Sequence, residues 1–145
     1  MFKNIQKKNF YDLILGFFIK KGNKHKAKKL LDKTFLLLQK ETKKSLPLIM
    51  GVLFFRLRTV VEIKKVKMGK RINLVPFVIS PKRRLFLSMK WLKQAIKEDK
   101  RKVPFSQKLS TEILNVFFNK PCVSLNLKKE NTKNAFSNRS NIYYR

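Results

Sequence analysis

Residues 61–77, with the sequence VEIKKVKMGKRINLVPF, decide the fold of this 145-residue chain. Apolar side chains alternate with polar ones over residues 59–67 and again over 71–79, and a Met-Gly-Lys segment separates the two runs. Alternation with a period of two on both sides of a glycine-containing turn is typical of two antiparallel strands. We therefore predict a β-hairpin over about residues 59–79, with helical sequence on either side of it.

The predicted hairpin is strongly basic. Its tip and outer face carry Lys64, Lys65, Lys67, Lys70 and Arg71. Pro76 lacks the backbone N–H that a central strand needs, so it indicates an edge strand, which a two-stranded hairpin provides. Because lysine and arginine neutralise phosphates, a basic ribbon that extends from a helical body predicts contact with nucleic acid.

Apolar residues at spacings of three and four predict helices on both sides of the hairpin. The predicted helices span about 10–20, 24–40, 46–58, 82–98 and 106–118. Residues 119–129 are predicted to form a loop with a short extended piece, and the polar tail, 130–145, is either flexible or a helix that orders on RNA. Trp91 is interpreted as a core residue, with stacking on a base as the alternative. The predicted fold class is mainly α, with one domain over 1–145: a bundle of about five or six helices and a protruding basic β-hairpin between the third and fourth helices.

The charge balance narrows the class of protein. Lysine and arginine together number 36, whereas aspartate and glutamate number 8, so the formal net charge is +28. A compact particle of this size repels itself strongly at such a charge unless a polyanion neutralises it. The charge therefore argues against an independent cytosolic enzyme and for a nucleic-acid partner.

The scarcity of cysteine and histidine excludes most catalytic and metal-binding sites. The single cysteine, Cys122, excludes an internal disulfide, and together with the single histidine, His25, it cannot form a zinc site of the usual composition. Glu98 and Asp99 are the only adjacent acids and are interpreted as a solvated helix end. We predict no catalytic residue, no metal and no cofactor. The longest apolar run, residues 46–55, falls short of the ~20 residues that span a bilayer, so no membrane partner is predicted.

Two of the predicted helices begin with cations. Lys24 and Lys26 lie in the first turn of the second helix, and Lys82, Arg83 and Arg84 lie in that of the fourth. Cations at a helix N-terminus oppose the helix dipole. Contact with phosphates would offset this unfavourable placement, and a solvated basic face is the alternative.

A known family matches the chain at several collinear segments. Ser80–Ile96, SPKRRLFLSMKWLKQAI, resembles the stretch RPxRRxxLAMRWIxxAA of the small-subunit ribosomal protein S7 family in its bacterial and organellar form. Residues 61–77 are similar to the family hairpin VEVKSRRVGGxxYQVPV, residues 22–31 to DGKKSxAExIV, and residues 138–145 to the ending NRAFAHYR. In this chain Lys70 replaces the second glycine of the hairpin, and the arginine-rich N-terminal arm of the family is nearly absent.

The resemblance implies a structural, non-enzymatic protein of the small ribosomal subunit. Members of the family bind the 3′ major (head) domain of small-subunit rRNA and nucleate head assembly. Their hairpin lies near the exit-tRNA site and the mRNA exit path, where the protein neighbours the small-subunit protein of family eleven. By position, the rRNA-binding candidates are Lys20, Lys21, Asn23, Lys24, Lys26, Lys64, Lys65, Lys67, Lys70, Arg71, Lys82, Arg83 and Arg84. The candidates on the tRNA and partner side are Tyr143, Tyr144 and Arg145.

Two other classes of protein share parts of this pattern. A basic DNA-binding architectural protein would share the charge and the ribbon, and a peripheral membrane protein would use the first helix and its lysines on anionic lipid. The chain is also rich in Lys, Asn, Phe and Ile, which A- and T-rich codons specify, so we predict that it is organelle-encoded. The predicted location is the ribosome, in the mitochondrial matrix or otherwise in another organelle or a bacterial cytoplasm.

Overall fold

The computed structural model describes residues 7–144 and has the predicted architecture, a helical body with one antiparallel hairpin. The elements in chain order are α1 (Lys7–Phe18), α2 (Lys24–Thr42), α3 (Leu46–Leu57), β1 (Val61–Met68), β2 (Arg71–Val78), α4 (Pro81–Glu98), α5 (Phe105–Phe117), α6 (Val123–Ser137) and a C-terminal 3₁₀ helix, η1 (Arg139–Tyr144). The hairpin lies between the third and fourth helices, as predicted. None of the helices within residues 7–144 is long and apolar enough to cross a membrane.

The main core lies between α1, α2, α3, α4 and α5. In α2, the residues at spacings of three and four form the inner stripe expected of a core-facing helix: Ala27, Leu31, Thr34, Phe35 and Leu38 are buried, and Leu30, expected in the same stripe, is partly buried. The Thr34 hydroxyl donates a hydrogen bond to the Leu30 carbonyl at 2.8 Å, so this polar side chain lies in the core without an unpaired group.

A second, smaller core lies at the base of the hairpin. Trp91 and Leu87 of α4 pack there with Ile79, which directly follows β2, and Leu127 of α6 packs against them. Trp91 is only 7% exposed, which confirms the prediction of a core residue. This cluster joins α4, α6 and the end of the hairpin.

A tight turn joins α1 to α2. The helix ends at Phe18, earlier than predicted, and the amide of Asn23 donates to the carbonyl of Lys20 at 3.1 Å. Lys21 and Gly22, the two central residues, have φ of +51° and +73°, the pattern of a type I′ turn. Glycine adopts this conformation without strain. The turn places Lys20, Lys21 and Asn23 directly before the first turn of α2.

The prediction of a loop over residues 119–129 is wrong beyond Cys122, where α6 begins. The Glu112 carboxylate of α5 accepts hydrogen bonds from the Ser124 amide at 2.9 Å and from its hydroxyl at 2.5 Å, which satisfies the start of α6 from a neighbouring helix. Leu125 packs on the main core and Leu127 on the second core. The tail is helical over residues 130–137, the second half of α6, and over residues 139–144, the 3₁₀ helix η1.

Several basic side chains stabilise the fold by binding the C-terminal carbonyls of neighbouring helices. Lys93 donates to the Phe17 carbonyl at 2.8 Å, Arg56 donates to the Val116 carbonyl at 2.9 Å, and Lys128 donates to the Arg56 carbonyl. The last carbonyls of a helix lack intrahelical partners and carry partial negative charge. Part of the positive charge of this chain is therefore structural.

Candidate nucleic-acid interface

The hairpin is built around a two-residue turn. Its register runs from Val61 opposite Val78 to Met68 opposite Arg71. Gly69 has φ of +58°, whereas Lys70 has no positive φ. A type II′ turn needs glycine only at its first central position, so lysine is compatible with the position where the family pattern has a second glycine.

The hairpin displays its lysines on both faces and not on one outer face as predicted. The register places Lys65 and Lys67 on the same face as Ile72 and Leu74, whereas Lys64 lies on the face of Val75. Val75 is fully buried, and Ile72 is 64% exposed. Lys64, Lys65, Lys67, Lys70 and Arg71 are all exposed. The hairpin can therefore present cations to phosphates on either side and at its tip.

The base of the hairpin is tied to α4 by an ion pair. The Arg83 guanidinium donates two hydrogen bonds to the Glu62 carboxylate, at 2.6 and 2.9 Å. These bonds hold the pKa of Glu62 below its usual value and raise the pKa of Arg83. Arg84 is half-buried and donates to the Ile79 carbonyl at 3.3 Å. Arg83 and Arg84, two of the three residues predicted to contact rRNA at the start of α4, thus have partners within the protein. The third, Lys82, is exposed.

A chain of contacts joins the hairpin to the α1–α2 turn. The Arg83 guanidinium lies 4.7 Å from the ring centroid of Phe86, and that ring lies 5.1 Å from the ring of Phe17, near the end of α1. Glu62 is thus linked through Arg83, Phe86 and Phe17 to the start of the α1–α2 turn. The base of the hairpin, the start of α4 and the end of α1 are therefore joined by direct side-chain contacts.

The start of α2 is open to an anion. Lys20, Lys21, Asn23, Lys24 and Lys26 are all exposed. The first turn of α2 contains no acid, and the Asn23 side chain makes no capping hydrogen bond. The first amides of a helix attract anions, so amides and lysines here offer donors to the same kind of ligand.

The C-terminal segment holds both strands of the hairpin, a contact that the sequence did not reveal. The Asn131 side chain of α6 donates to the Val61 carbonyl at 2.8 Å, and the Asn141 side chain of η1 donates to the Leu74 carbonyl at 3.0 Å. Backbone groups at the edges of a two-stranded sheet lack ladder partners, and the two asparagines satisfy some of them. Asparagines in a polar tail carry no signal that identifies their partners.

Two of the predicted partner-side residues, Tyr143 and Tyr144, lie beside the hairpin, because η1 packs on β2. Tyr143 is 92% exposed, and Tyr144 is also exposed. Arg145 lies outside the described residues. Tyr143 and Tyr144 are therefore available to a neighbouring molecule on this side of the hairpin.

Cys122 and Asp99 both have surroundings within the protein that explain their pKa values. Cys122 is buried, and burial raises the pKa of its thiol, as expected of a structural cysteine. Asp99 binds Arg101, which lowers its pKa to about 2. Over residues 7–144, no group of three or more His, Cys, Asp or Glu side chains is arranged to hold a metal ion.

Comparison with known proteins gives one consistent result. The chain is 30% identical over 146 residues to the small ribosomal subunit protein uS7m of Drosophila melanogaster, an alignment that covers 91% of this chain and 66% of the fly protein. It is 27% identical over 124 residues to uS7 of Caldicellulosiruptor saccharolyticus, which covers 86% of this chain and 78% of that protein. It is 26% identical over 124 residues to uS7 of Thermosipho melanesiensis, with 86% and 79% covered.

The family model that matches is that of ribosomal protein S7p/S5e, over residues 4–139. This range includes the α1–α2 turn, the hairpin, α4 and α6. Its members are structural proteins of the small ribosomal subunit, so the match supports a structural role in translation and rRNA binding, and the fly relative supports the organellar type. The chain belongs to the ribosomal protein S7p/S5e family.

Proposed function

We propose that this protein is a structural constituent of the small ribosomal subunit that binds the 3′ major (head) domain of its rRNA and nucleates assembly of the head. The hairpin reaches toward the exit-tRNA site and the mRNA exit path. We assign Tyr143, Tyr144 and Arg145 to contacts with the tRNA and with the neighbouring protein of family eleven. The protein acts in the mitochondrial ribosome, a location that the fly relative and the Lys-, Asn-, Phe- and Ile-rich composition support.

The observation that carries this proposal is the contact chain from Glu62 through Arg83 and Phe86 to Phe17. It brings the base of the hairpin against the start of α4, and α4 against the end of α1, directly before the α1–α2 turn. Folded RNA is recognised by shape more than by the edges of paired bases. A rigid spacing of three cationic groups selects an RNA whose phosphates have the same spacing.

The mechanism is binding, without bond making or breaking. Lysines of the interface displace condensed counterions from phosphates, so affinity falls steeply as salt increases. Arg83 and Arg84 contribute by orienting the hairpin and α4, and Lys82 together with the hairpin lysines contacts phosphates. The many lysines supply charge without the bidentate geometry of arginine. They therefore favour recognition of the spacing between phosphates over recognition of individual phosphate groups.

The test is binding to the isolated head-domain rRNA by a variant in which Lys64, Lys65, Lys67 and Lys70 are changed to Glu. We expect a large loss of affinity and a shallower salt dependence, with impaired head assembly. A matched control changes Lys40, Lys97, Lys100 and Lys102 to Glu, which removes the same charge from exposed positions. Lys97 is 14 residues from Arg83 in α4, about 21 Å along the helix axis.

Two outcomes would contradict the proposal. Equal losses in both variants would show that net charge alone drives binding. Preference of the wild-type protein for duplex DNA over the head-domain RNA would favour the alternative, a basic DNA-binding architectural protein.

A further inference from the structure

An exposed aromatic ring lies on α6, outside the interface described above. Phe136 is 69% exposed. The guanidinium of Arg139 lies 5.0 Å from the centroid of its ring. A large apolar ring placed in water beside a cation is the arrangement that attracts the face of another π-system.

Cations surround this ring along the helix. Lys129, Thr132 and Lys133 precede Phe136 by seven, four and three residues, so they lie on the same side of α6. Together with Lys128 and Ser137 they line a shallow open groove with Phe136. We name these residues and Arg139 the α6 groove. The ammonium of Lys128 is bound to the Arg56 carbonyl, so the cations open to a ligand are Lys129, Lys133 and Arg139.

The groove contains no carboxylate. Glu130, the one acid of α6, lies six residues from Phe136, about 120° around the helix. The groove also points away from the hairpin. Asn131, which binds the Val61 carbonyl of β1, lies five residues from Phe136, about 140° around the helix. A ligand in the groove would therefore leave the hairpin free.

We propose that the α6 groove is a second RNA-binding site, at which an unpaired base stacks on Phe136 while flanking phosphates pair with Lys129, Lys133 and Arg139. This inference rests on the proposed function, because it assigns a further contact to the same RNA partner. Every base has a π-face, and phosphates complement the three cations Lys129, Lys133 and Arg139. A protein partner fits less well, since Phe136 is the only large apolar side chain of the groove.

The test separates stacking from charge. Phe136→Leu keeps an apolar side chain but removes the ring, and we expect it to weaken binding of the head-domain rRNA about 5- to 150-fold with an unchanged salt slope. Phe136→Trp keeps a stacking ring and should retain wild-type affinity. A variant with Lys129→Gln and Lys133→Gln should reduce the slope of log affinity against log salt by about 1.4, the value for two contacts to unpaired strands.

The matched control changes Lys97 and Lys100 to Gln, two exposed lysines outside the groove. Circular dichroism of each variant checks that α6 stays helical. The proposal is overturned if Phe136→Leu binds the RNA within about twofold of wild type. It is also overturned if the groove variants bind the RNA as the wild type does and differ from it only in losing a neighbouring ribosomal protein. Failure of the wild-type protein to bind the RNA would instead refute the proposed function.

Discussion

Replacement of Trp91 by alanine tests how the helical body supports the hairpin. The indole packs with Ile79 and Leu87, and Leu127 of α6 covers them. Since Ile79 directly follows β2, the cluster fixes the direction in which the hairpin leaves the body. Removing the indole should loosen the junction of α4, α6 and the hairpin together.

The expected loss of stability follows from burial. Trp91 is 7% exposed, and truncation of a buried Phe or Trp to Ala costs about 3–5 kcal/mol. Small domains are stable by only about 5–15 kcal/mol in total, so this one substitution should remove at least about a fifth of the stability. At about 4 °C per kcal/mol for a domain of this size, we expect the midpoint of thermal unfolding to fall by about 12–20 °C.

The assay is thermal and urea unfolding, each followed by circular dichroism at high salt, which screens the self-repulsion of the chain. Trp91→Phe keeps most of the apolar contact and should lose much less stability than Trp91→Ala. RNA affinity measured on the folded fraction should change less than stability does. A variant that unfolds like wild type but binds RNA poorly would show that Trp91 stacks on a base, and the reasoning from burial would fail.

Three further predictions concern the hairpin. Glu62→Gln should destabilise the protein by about 1 kcal/mol at neutral pH, because a charged hydrogen bond is lost but Arg83 is partly exposed. Since the folded pKa of Glu62 is lowered, the stability advantage of the wild type should be complete above the ordinary pKa of 4.5 and should vanish as the pH falls below it. A difference in unfolding free energy that persists in acid would contradict the ion pair. Changing Asn131 and Asn141 to Ala together should broaden the distance distribution between spin labels on the hairpin tip and on α2, whereas an unchanged distribution would show that the C-terminal segment does not hold the hairpin. Gly69→Ala should cost about 1 kcal/mol in urea unfolding, because alanine is strained at a positive φ, and a neutral effect would exclude the type II′ turn.

The secondary structure before residue 119 could be predicted because its signals are local. Helices such as α2 show a regular apolar stripe, and the hairpin shows alternation around Gly69. The segment α6 could not, because its stability comes from Glu112 of α5 and from contacts of Leu125 and Leu127 with two cores. Within α6 only Ser124 is fully buried, so the helix has no apolar stripe from which its period could be recognised.

For the cations, too, one part could be predicted from the sequence and another part was decided only by the tertiary structure. Net charge already indicates a polyanionic partner, because it depends on composition alone. Composition does not distinguish Lys93, which binds the Phe17 carbonyl, or Arg83, which binds Glu62, from lysines that stay free for phosphates. Only the packing of α1, α4 and the hairpin decides which cation faces a neighbouring helix and which faces the RNA, since that choice depends on atoms far apart in sequence.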